Sequence, residues 1–519
     1  MKEKIKVKNL DHLGIIAGIV DEIGIESIVN ESIGIDKREK ISAGKIVKAI
    51  ILNGLGMFSK PLYLFPQFFQ DKPVEKLLGA GIKASEINDD KIGRVMDSLR
   101  EYGLEQLWLK IAFRVIKTYK IETDYSHLDS TSISVEGKYQ DDSEGDVKIV
   151  HGFSKDKRPD LKQFLINLLV SQDGDIPLLI NIRSGNESDK KQFAEIIKAY
   201  QQQINWSTIY IADSALYTAD NLHKLGKTPW ISRVPLNNKK AREQVENLEE
   251  KELKALRQEG YRYQEKIINH HGIEQRWQII ESESRKKADL DKLQKALKKE
   301  KEKIEKALKS WQNIGRDSES ELKLEVKNFS RKLKYHSLNK IRYKKQTSHV
   351  KKNKIICECT IEEKQDSLER EKKKAGRFII ATNLLDAEKL PSSNILQEYK
   401  AQQGCERSFR FIKDPLFLAD KIYLKNPQRI ETLSMLIGLC LLVYNIGQRM
   451  LRLELKSDGG KIRNHNNQLT STPTLRWVFQ MFQGIHIVKI KGESIVSDIT
   501  DELLDVLKYF TVYCQNYYA

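Results

Sequence analysis

Three carboxylates stand where the surrounding pattern does not invite them. Asp129 lies inside the stretch His127-Leu128-Asp129-Ser130-Thr131-Ser132, and Asp213 closes Ile209-Tyr210-Ile211-Ala212-Asp213-Ser214. Glu406 sits within Gly404-Cys405-Glu406-Arg407-Ser408, in a helical pattern. Aspartate is a poor strand former, so an Asp in or at the end of an apolar strand needs compensation. Each has a local explanation when taken alone: Asp213 ends a strand, and Asp129 bonds to Ser130 or Thr131. Taken together, three hard oxygen donors suit two Mg²⁺ or Mn²⁺ ions. Two such ions about 3.5–4 Å apart activate an attacking oxygen and stabilise a leaving one in phosphoryl transfer.

The helix around Glu406 adds a second constellation. Tyr399, Gln402, Glu406 and Lys413 follow one another at spacings of three, four and seven. On a straight helix of about 3.6 residues per turn, all four fall within a sector of about 60°. Phe409 and Ile412 take the adjoining side, facing a sheet. A carboxylate flanked by Tyr and Lys suits a metal site beside a phosphate backbone. The plainer alternative is the polar stripe of an amphipathic helix.

The elements that must hold these residues follow from periodicity. Residues 1–120 carry helical apolar spacing, as in Ile15, Ile16, Ile19 and Ile23, with Asn88-Asp89-Asp90 as a cap for the helix through Met96 and Leu99. DNA binding and dimerisation are both open for this helical domain. From 121 to 237 the pattern turns α/β. Strands are expected at 127–135, 163–170 and 177–183, the last two joined by the turn Gln172-Asp173-Gly174-Asp175. A helix at 188–203, a strand at 208–212, a helix from about Thr218 and a strand at 230–235 complete the order of a ribonuclease-H-like sheet. Residues 238–375 interrupt it with a charged helix, Arg285 to Trp311, read as a solvated amphipathic helix or hairpin. The core resumes over 376–455 with a strand at 377–382, one helix from Pro391-Ser392-Ser393 to Lys413, and an apolar helix over 431–450. Residues 456–519 form a linker and tail, a candidate for dimerisation. The expected fold is therefore α+β and multidomain: a helical N-terminal domain and a ribonuclease-H-like catalytic domain interrupted by an insertion domain.

Composition narrows the partner. Lys+Arg 89 against Asp+Glu 72 leaves a net charge of +17 over 519 residues, the balance of a polyanion binder. The most basic stretch, Arg331 to Lys354, holds ten basic residues, no acidic one, and Tyr335 and Tyr343. Lys344, Lys345, Lys351 and Lys352 within it are candidate phosphate contacts. Five cysteines, an odd and sparse set, fit a reducing compartment. There is no convincing signal peptide. The most apolar run, Leu433 to Tyr444, is short of the roughly 20 residues of a membrane span. A cytoplasmic protein without a membrane partner is expected. His336, His349, Cys357 and Cys359 lack zinc-ligand spacing, and Cys-Glu-Cys suits one face of a strand as well. Trp206 and Trp230 read as core aromatics. No Walker loop is present, so ATP is not implied.

These motifs, in this order, resemble one family. Tyr399-x2-Gln402-x3-Glu406-x6-Lys413 is similar to the Y-x2-R-x3-E-x6-K signature of bacterial insertion-sequence transposases of the DDE class, the group with an insertion before the catalytic Glu. His127 to Thr131, Gly152 to Asp160, Gly185 to Asp189, Ile211 to Ser214, Ser232 to Pro235, Asn88 to Arg94 and Pro473 to Phe479 also resemble this group, so the likeness runs from about residue 10 to 490. It departs at Gln402, where the signature has Arg; a charge-assisted phosphate contact is lost while a hydrogen-bond donor remains.

The resemblance implies an enzyme that binds the terminal inverted repeats of its element as double-stranded DNA, cuts there, and transfers the 3′-hydroxyl ends to target DNA. Asp129, Asp213 and Glu406 would hold two Mg²⁺ or Mn²⁺ ions per active site. Tyr399, Gln402 and Lys413 would steady DNA, with Arg233 a further contact or a surface ion pair. The family works as a homodimer on DNA, in the bacterial cytoplasm at the nucleoid. Two other readings are a metal-dependent nuclease without strand transfer and a transposase-derived DNA-binding protein. A basic membrane-surface protein would need an amphipathic basic helix with exposed aromatics, which the sequence lacks.

Overall fold

The computed structural model describes residues 5–36, 38–57, 60–137, 139, 147–204, 207–346, 354–415, 426–490 and 493–519. These form two compact units: one comprises the chain to residue 231 together with 397–519, the other residues 232–396. The molecule is a mixed α/β protein with mixed parallel and antiparallel strand pairing.

In the first unit, Tyr125–Val135 pairs antiparallel with Lys162–Ser171, and that strand pairs antiparallel with Pro177–Ser184. The turn joining the last two carries Gly174 at φ 80° and Asp175 at φ 57°, a left-handed pair of the kind tight hairpins require. On its other edge Tyr125–Val135 pairs parallel with Ile209–Ala212. A parallel neighbour needs a crossover, and the helix Asp189–Gln203 lies on it. Because side chains alternate, His127, Asp129, Thr131 and Ile133 share the face of Val170, Leu168, Ile166 and Phe164, their register partners. That face of the Lys162–Ser171 strand is part of the main apolar core.

The same core takes in the helices Leu13–Ile23, Ala43–Leu55, Asp89–Tyr102 and Leu104–Tyr119, together with the 31-residue helix Pro427–Ser457. Trp108 is buried and its indole donates to Leu178 O at 3.0 Å, tying the helix Leu104–Tyr119 to the strand Pro177–Ser184. Pro427–Ser457 is longer than the apolar run suggested. By length and composition it could cross a membrane, yet 83% of its most apolar window is buried inside the protein. Its apolarity is used by the core.

Residues 456–519 do not stand apart as a linker and tail. His486–Ile490 pairs antiparallel with Lys6–Asn9, a strand not expected from the lysine-rich start of the chain. Val512–Gln515 packs on Leu13–Ile23 so closely that a Cβ on Gly18 would lie 2.5 Å from the Cys514 backbone. His12 joins the same contact: Nε2–H donates to Leu55 O (2.9 Å), Nδ1 accepts from the Gln483 amide (2.8 Å), and the ring stacks on Phe479 at 4.3 Å.

In the second unit the strands run Arg377–Thr382, Ile273–Ser282, Tyr261–His270, Lys254–Ala255, all antiparallel. Arg377–Thr382, expected within the resumed core, thus pairs with a strand of the inserted segment. Its Arg377 is buried and forms an ion pair with Glu281 at 2.9 Å. The charged helix spans Glu283–Asn313 and buries Leu293, Ile304 and Trp311. It is followed by Glu319–Arg331, so the hairpin alternative describes it better than a lone helix.

Burial lowers the His12 pKa from 6.5 to about 4. Its folded value lies below its unfolded one, so this contribution to stability is complete above pH 6.5 and is lost as pH falls toward 4. The difference corresponds to about 3 kcal/mol. Unfolding measured between pH 7.5 and 4 should take up about one proton fewer in His12→Gln than in the wild type; equal uptake would contradict the assignment.

Candidate active site

The parallel register Tyr125↔Ile209, Ser126↔Tyr210, His127↔Ile211, Leu128↔Ala212 sets the site. One step further along lie Asp129, still within its strand, and Asp213, the first residue beyond Ile209–Ala212. Asp129 is half-buried, and its Oδ1 accepts from Ser130 N at 2.8 Å. Asp213 is also half-buried, and its Oδ1 accepts from Ala215 N at 2.8 Å as the chain leaves the strand. The bond foreseen from Asp129 to Ser130 is therefore made, Asp213 ends its strand as expected, and both bonds orient the carboxylates.

Glu406 arrives from the helix Gln403–Ile412, which packs across Tyr125–Val135 and Lys162–Ser171. The seat is Cys405. It is fully buried, and its Sγ–H donates to His127 O at 3.2 Å. Burial, then the charges of Asp129 and Asp175, push the Cys405 thiol pKa up. Two further contacts hold this helix. Arg407 forms a bidentate pair with Asp175 in the hairpin turn (2.9 and 3.0 Å), and Lys413 Nζ donates to Asp156 Oδ1 at 2.7 Å. Glu406 itself is exposed, in the first turn of its helix, where a negative charge is favoured by the helix dipole.

The single helix expected from Pro391 to Lys413 is two helices, Ser392–Ala401 and Gln403–Ile412. At Gln402 the bonds tighten to three-residue spacing: Gln402 N donates to Tyr399 O and Cys405 N to Gln402 O. Gly404 lies just beyond this break. Glycine weakens a helix, and here a Cβ would sit 2.4 Å from Asp175 Oδ1. The common sector drawn for Tyr399, Gln402, Glu406 and Lys413 on a straight helix does not carry over. Tyr399 and Gln402 are half-buried, and Lys413 caps the second helix.

The three carboxylates are thus brought onto adjoining elements, but the ligand set is not closed. Among the described residues no group of three or more His, Cys, Asp or Glu side chains stands close enough to hold a metal ion. The donor chemistry of the three carboxylates fits a hard divalent cation.

Sequence reasoning missed a buried pair beside them. His127, on the same face as Asp129, is 1% exposed, and neither ring nitrogen has a hydrogen-bond partner. Its Nε2 lies 4.0 Å from Glu398 Oε2, which also lacks one. Burial lowers the His127 pKa to about 4 and raises that of Glu398. The i, i+2 spacing of His127 and Asp129 was the available signal.

The remaining candidates, apart from Trp206 and Trp230, lie in the second unit. Arg233 is not an ion-pair partner in its described contacts; its guanidinium lies 5.6 Å from the Phe378 ring centroid, with Arg285 at 5.7 Å. His336–Gln346 and Lys354–Glu363 form an antiparallel hairpin. Residues 336–346 of the basic run are therefore a strand, and alternation sends Lys344 and Lys345 to opposite faces. Lys344 pairs with Glu358 at 2.6 Å. Lys351, Lys352, His349 and Trp206 lie outside the described residues. His336 bonds Glu300 at 2.9 Å, and Cys357 is buried in the core beneath the hairpin. Trp230 is fully buried.

Residues 126–446 match the family described as Transposase DDE domain, and residues 5–113 match Domain of unknown function (DUF4277). The first match spans more than half the chain, and the chain belongs to that family. It is a DDE-class transposase, an enzyme of DNA recombination; enzymes of this class generally use divalent metal ions. Among solved structures, a cryo-EM structure of the piggyBac transposase synaptic complex with hairpin DNA is similar at 9% identity and a TM-score of 0.38, over 90% of this chain and 77% of that one. No curated protein matches.

If Cys405 seats the Glu406 helix, filling that space should unseat it. Cys405→Leu should cost about 1–3 kcal/mol of stability and depress DNA cleavage, whereas Cys405→Ser, which keeps a donor to His127 O, should retain most of both. Equal cleavage by the two variants would show that the seat does not govern the site.

Proposed function

We propose that this transposase binds the terminal inverted repeats of an insertion sequence as double-stranded DNA, cleaves at the element ends and joins the 3′-hydroxyls to target DNA. The observation that carries the reading is the in-register parallel pairing that sets Asp129 beside Asp213, with the Glu406 helix seated on the same strand. The sheet order and its following helices support a ribonuclease-H-like core. Asp129, Asp213 and Glu406 would hold two Mg²⁺ or Mn²⁺ ions. When bound, the ions supply Lewis-acid stabilisation of the attacking and leaving oxygens. The chain's own residues orient them: Ser130 N and Ala215 N fix the two Asp carboxylates, and Cys405 and Arg407 fix the helix that presents Glu406. Tyr399, Gln402 and Lys413 would each contact the DNA backbone, and a homodimer would bridge two ends in the bacterial cytoplasm.

Asp129→Asn, Asp213→Asn and Glu406→Gln should each lower cleavage about 100-fold or more, in the range seen on losing one preorganised electrostatic contact, with duplex binding nearly unchanged. Wild-type cutting by any of the three would remove that residue from the site. Incubation with a precleaved 3′-hydroxyl end and Mg²⁺ should yield joined products; hydrolysis alone would mark a nuclease.

The hairpin lysines are tested by salt. Each phosphate contact on duplex DNA contributes about −0.9 to the slope of log K against log[salt]. Replacing Lys344, Lys345, Lys351 and Lys352 by Ala should flatten the slope by up to ~3.6 units. The fall in affinity should be similar for unrelated duplexes, since phosphate contacts position without specifying. An unchanged slope would place the DNA surface elsewhere, with the N-terminal helices next in line.

A further inference from the structure

Between Tyr125–Val135 and Lys162–Ser171 the chain presents an aromatic ring that nothing above employs. Phe153 is 87% exposed. Single exposed apolar side chains are ordinary on protein surfaces, but this one stands on a fixed backbone. Gln163 Nε2 donates to Phe153 O (3.2 Å) and to Gly185 O (2.8 Å). Val150 and Gln163 exchange backbone hydrogen bonds of 3.2 and 2.9 Å. Gly152 lies so close to Gly185 that a Cβ would be 1.9 Å from its carbonyl oxygen.

The loop is anchored again just beyond the ring, beside the carboxylates. Lys155 N donates to Ser132 Oγ (3.0 Å), and Lys155 Nζ donates to Ser130 O (2.6 Å) and Ser130 Oγ (2.5 Å). Ser130 is the residue after Asp129. Asp156 holds Lys413, and Arg158 pairs with Asp160. Lys157, between them, turns the chain at φ 59°. The backbone that carries the ring is thus fixed two residues from a lysine clamped next to Asp129, with cations following it.

We infer that Phe153 receives a DNA base, stacking on a nucleotide unpaired at the element end beside the phosphate to be cut, while Lys155 holds the loop on Ser130 and the exposed Lys157 faces an adjoining phosphate. This rests on the DNA reading above. The occupant follows from complementarity: an aromatic face matches any base, sequence aside, and the exposed Lys157 matches the backbone. An apolar protein partner would use the ring but not Lys157.

The test uses the full chain and a duplex carrying the inverted repeat found beside its gene, with single abasic substitutions walked across the terminal nucleotides. Phe153→Ala should lower affinity for the intact end roughly 5- to 150-fold, the range of one base–aromatic stack. Phe153→Tyr and Phe153→Trp should restore it. At one nucleotide the abasic change should erase the difference between wild type and Phe153→Ala. A wild type that binds and cuts the end while Phe153→Ala does so equally well would overturn the inference and leave the DNA reading standing. A loss that is the same at every abasic position, or a change in the mass of the DNA-free protein, would overturn it too, the latter by showing a contact between copies. Failure of the wild type to bind any duplex would instead defeat the DNA reading itself.

Discussion

The parallel pairing of Tyr125–Val135 with Ile209–Ala212 is the constraint on which the site depends. Two aspartates distant in sequence become neighbours only because this edge is in register; a slip of one residue would turn His127 and Asp129 to the opposite face together. The antiparallel partner on the other edge pins that register over ten residue pairs, from Ser126↔Ser171 to Val135↔Lys162. The long pairing fixes one strand, and the short parallel one inherits its position.

The helical layer completes the arrangement through polar contacts set in an apolar core. Cys405 reaches the His127 carbonyl, Arg407 and Arg449 grip Asp175 and Asp173 of one hairpin turn, and Lys413 grips Asp156. The turn that closes two strands therefore also locates the helices carrying Glu406 and the central core. His127 and Glu398 lie beneath, buried without hydrogen bonds to their facing atoms. Such groups raise the free energy of the fold by about 1–3 kcal/mol each, a cost that proteins tolerate chiefly at working sites.

Much of this was legible in the sequence, and the misses have causes. Strands with sharp apolar alternation and a Gly-Asp turn were placed within one or two residues. The three carboxylates stood out because strand and helix positions make them anomalous. The need for glycine at 404 was not legible, because it comes from Asp175, more than two hundred residues away, where a Cβ would collide. The strand Lys6–Asn9 and the docking of the C-terminal segment are non-local in the same way. Within the basic run only residues 336–346 are a described strand, where alternation puts Lys344 and Lys345 on opposite faces, a detail that a count of charge does not carry.

The central claim is that Asp129 and Asp213 together form the floor of a divalent-ion site, with Glu406 its third wall. Anomalous diffraction from crystals of the protein bound to its element end and soaked in Mn²⁺ tests it most directly. The account predicts a manganese peak within coordination distance of both Asp129 and Asp213, lost in Asp213→Asn. A peak bound elsewhere, or one at this place that persists in Asp213→Asn, would contradict it.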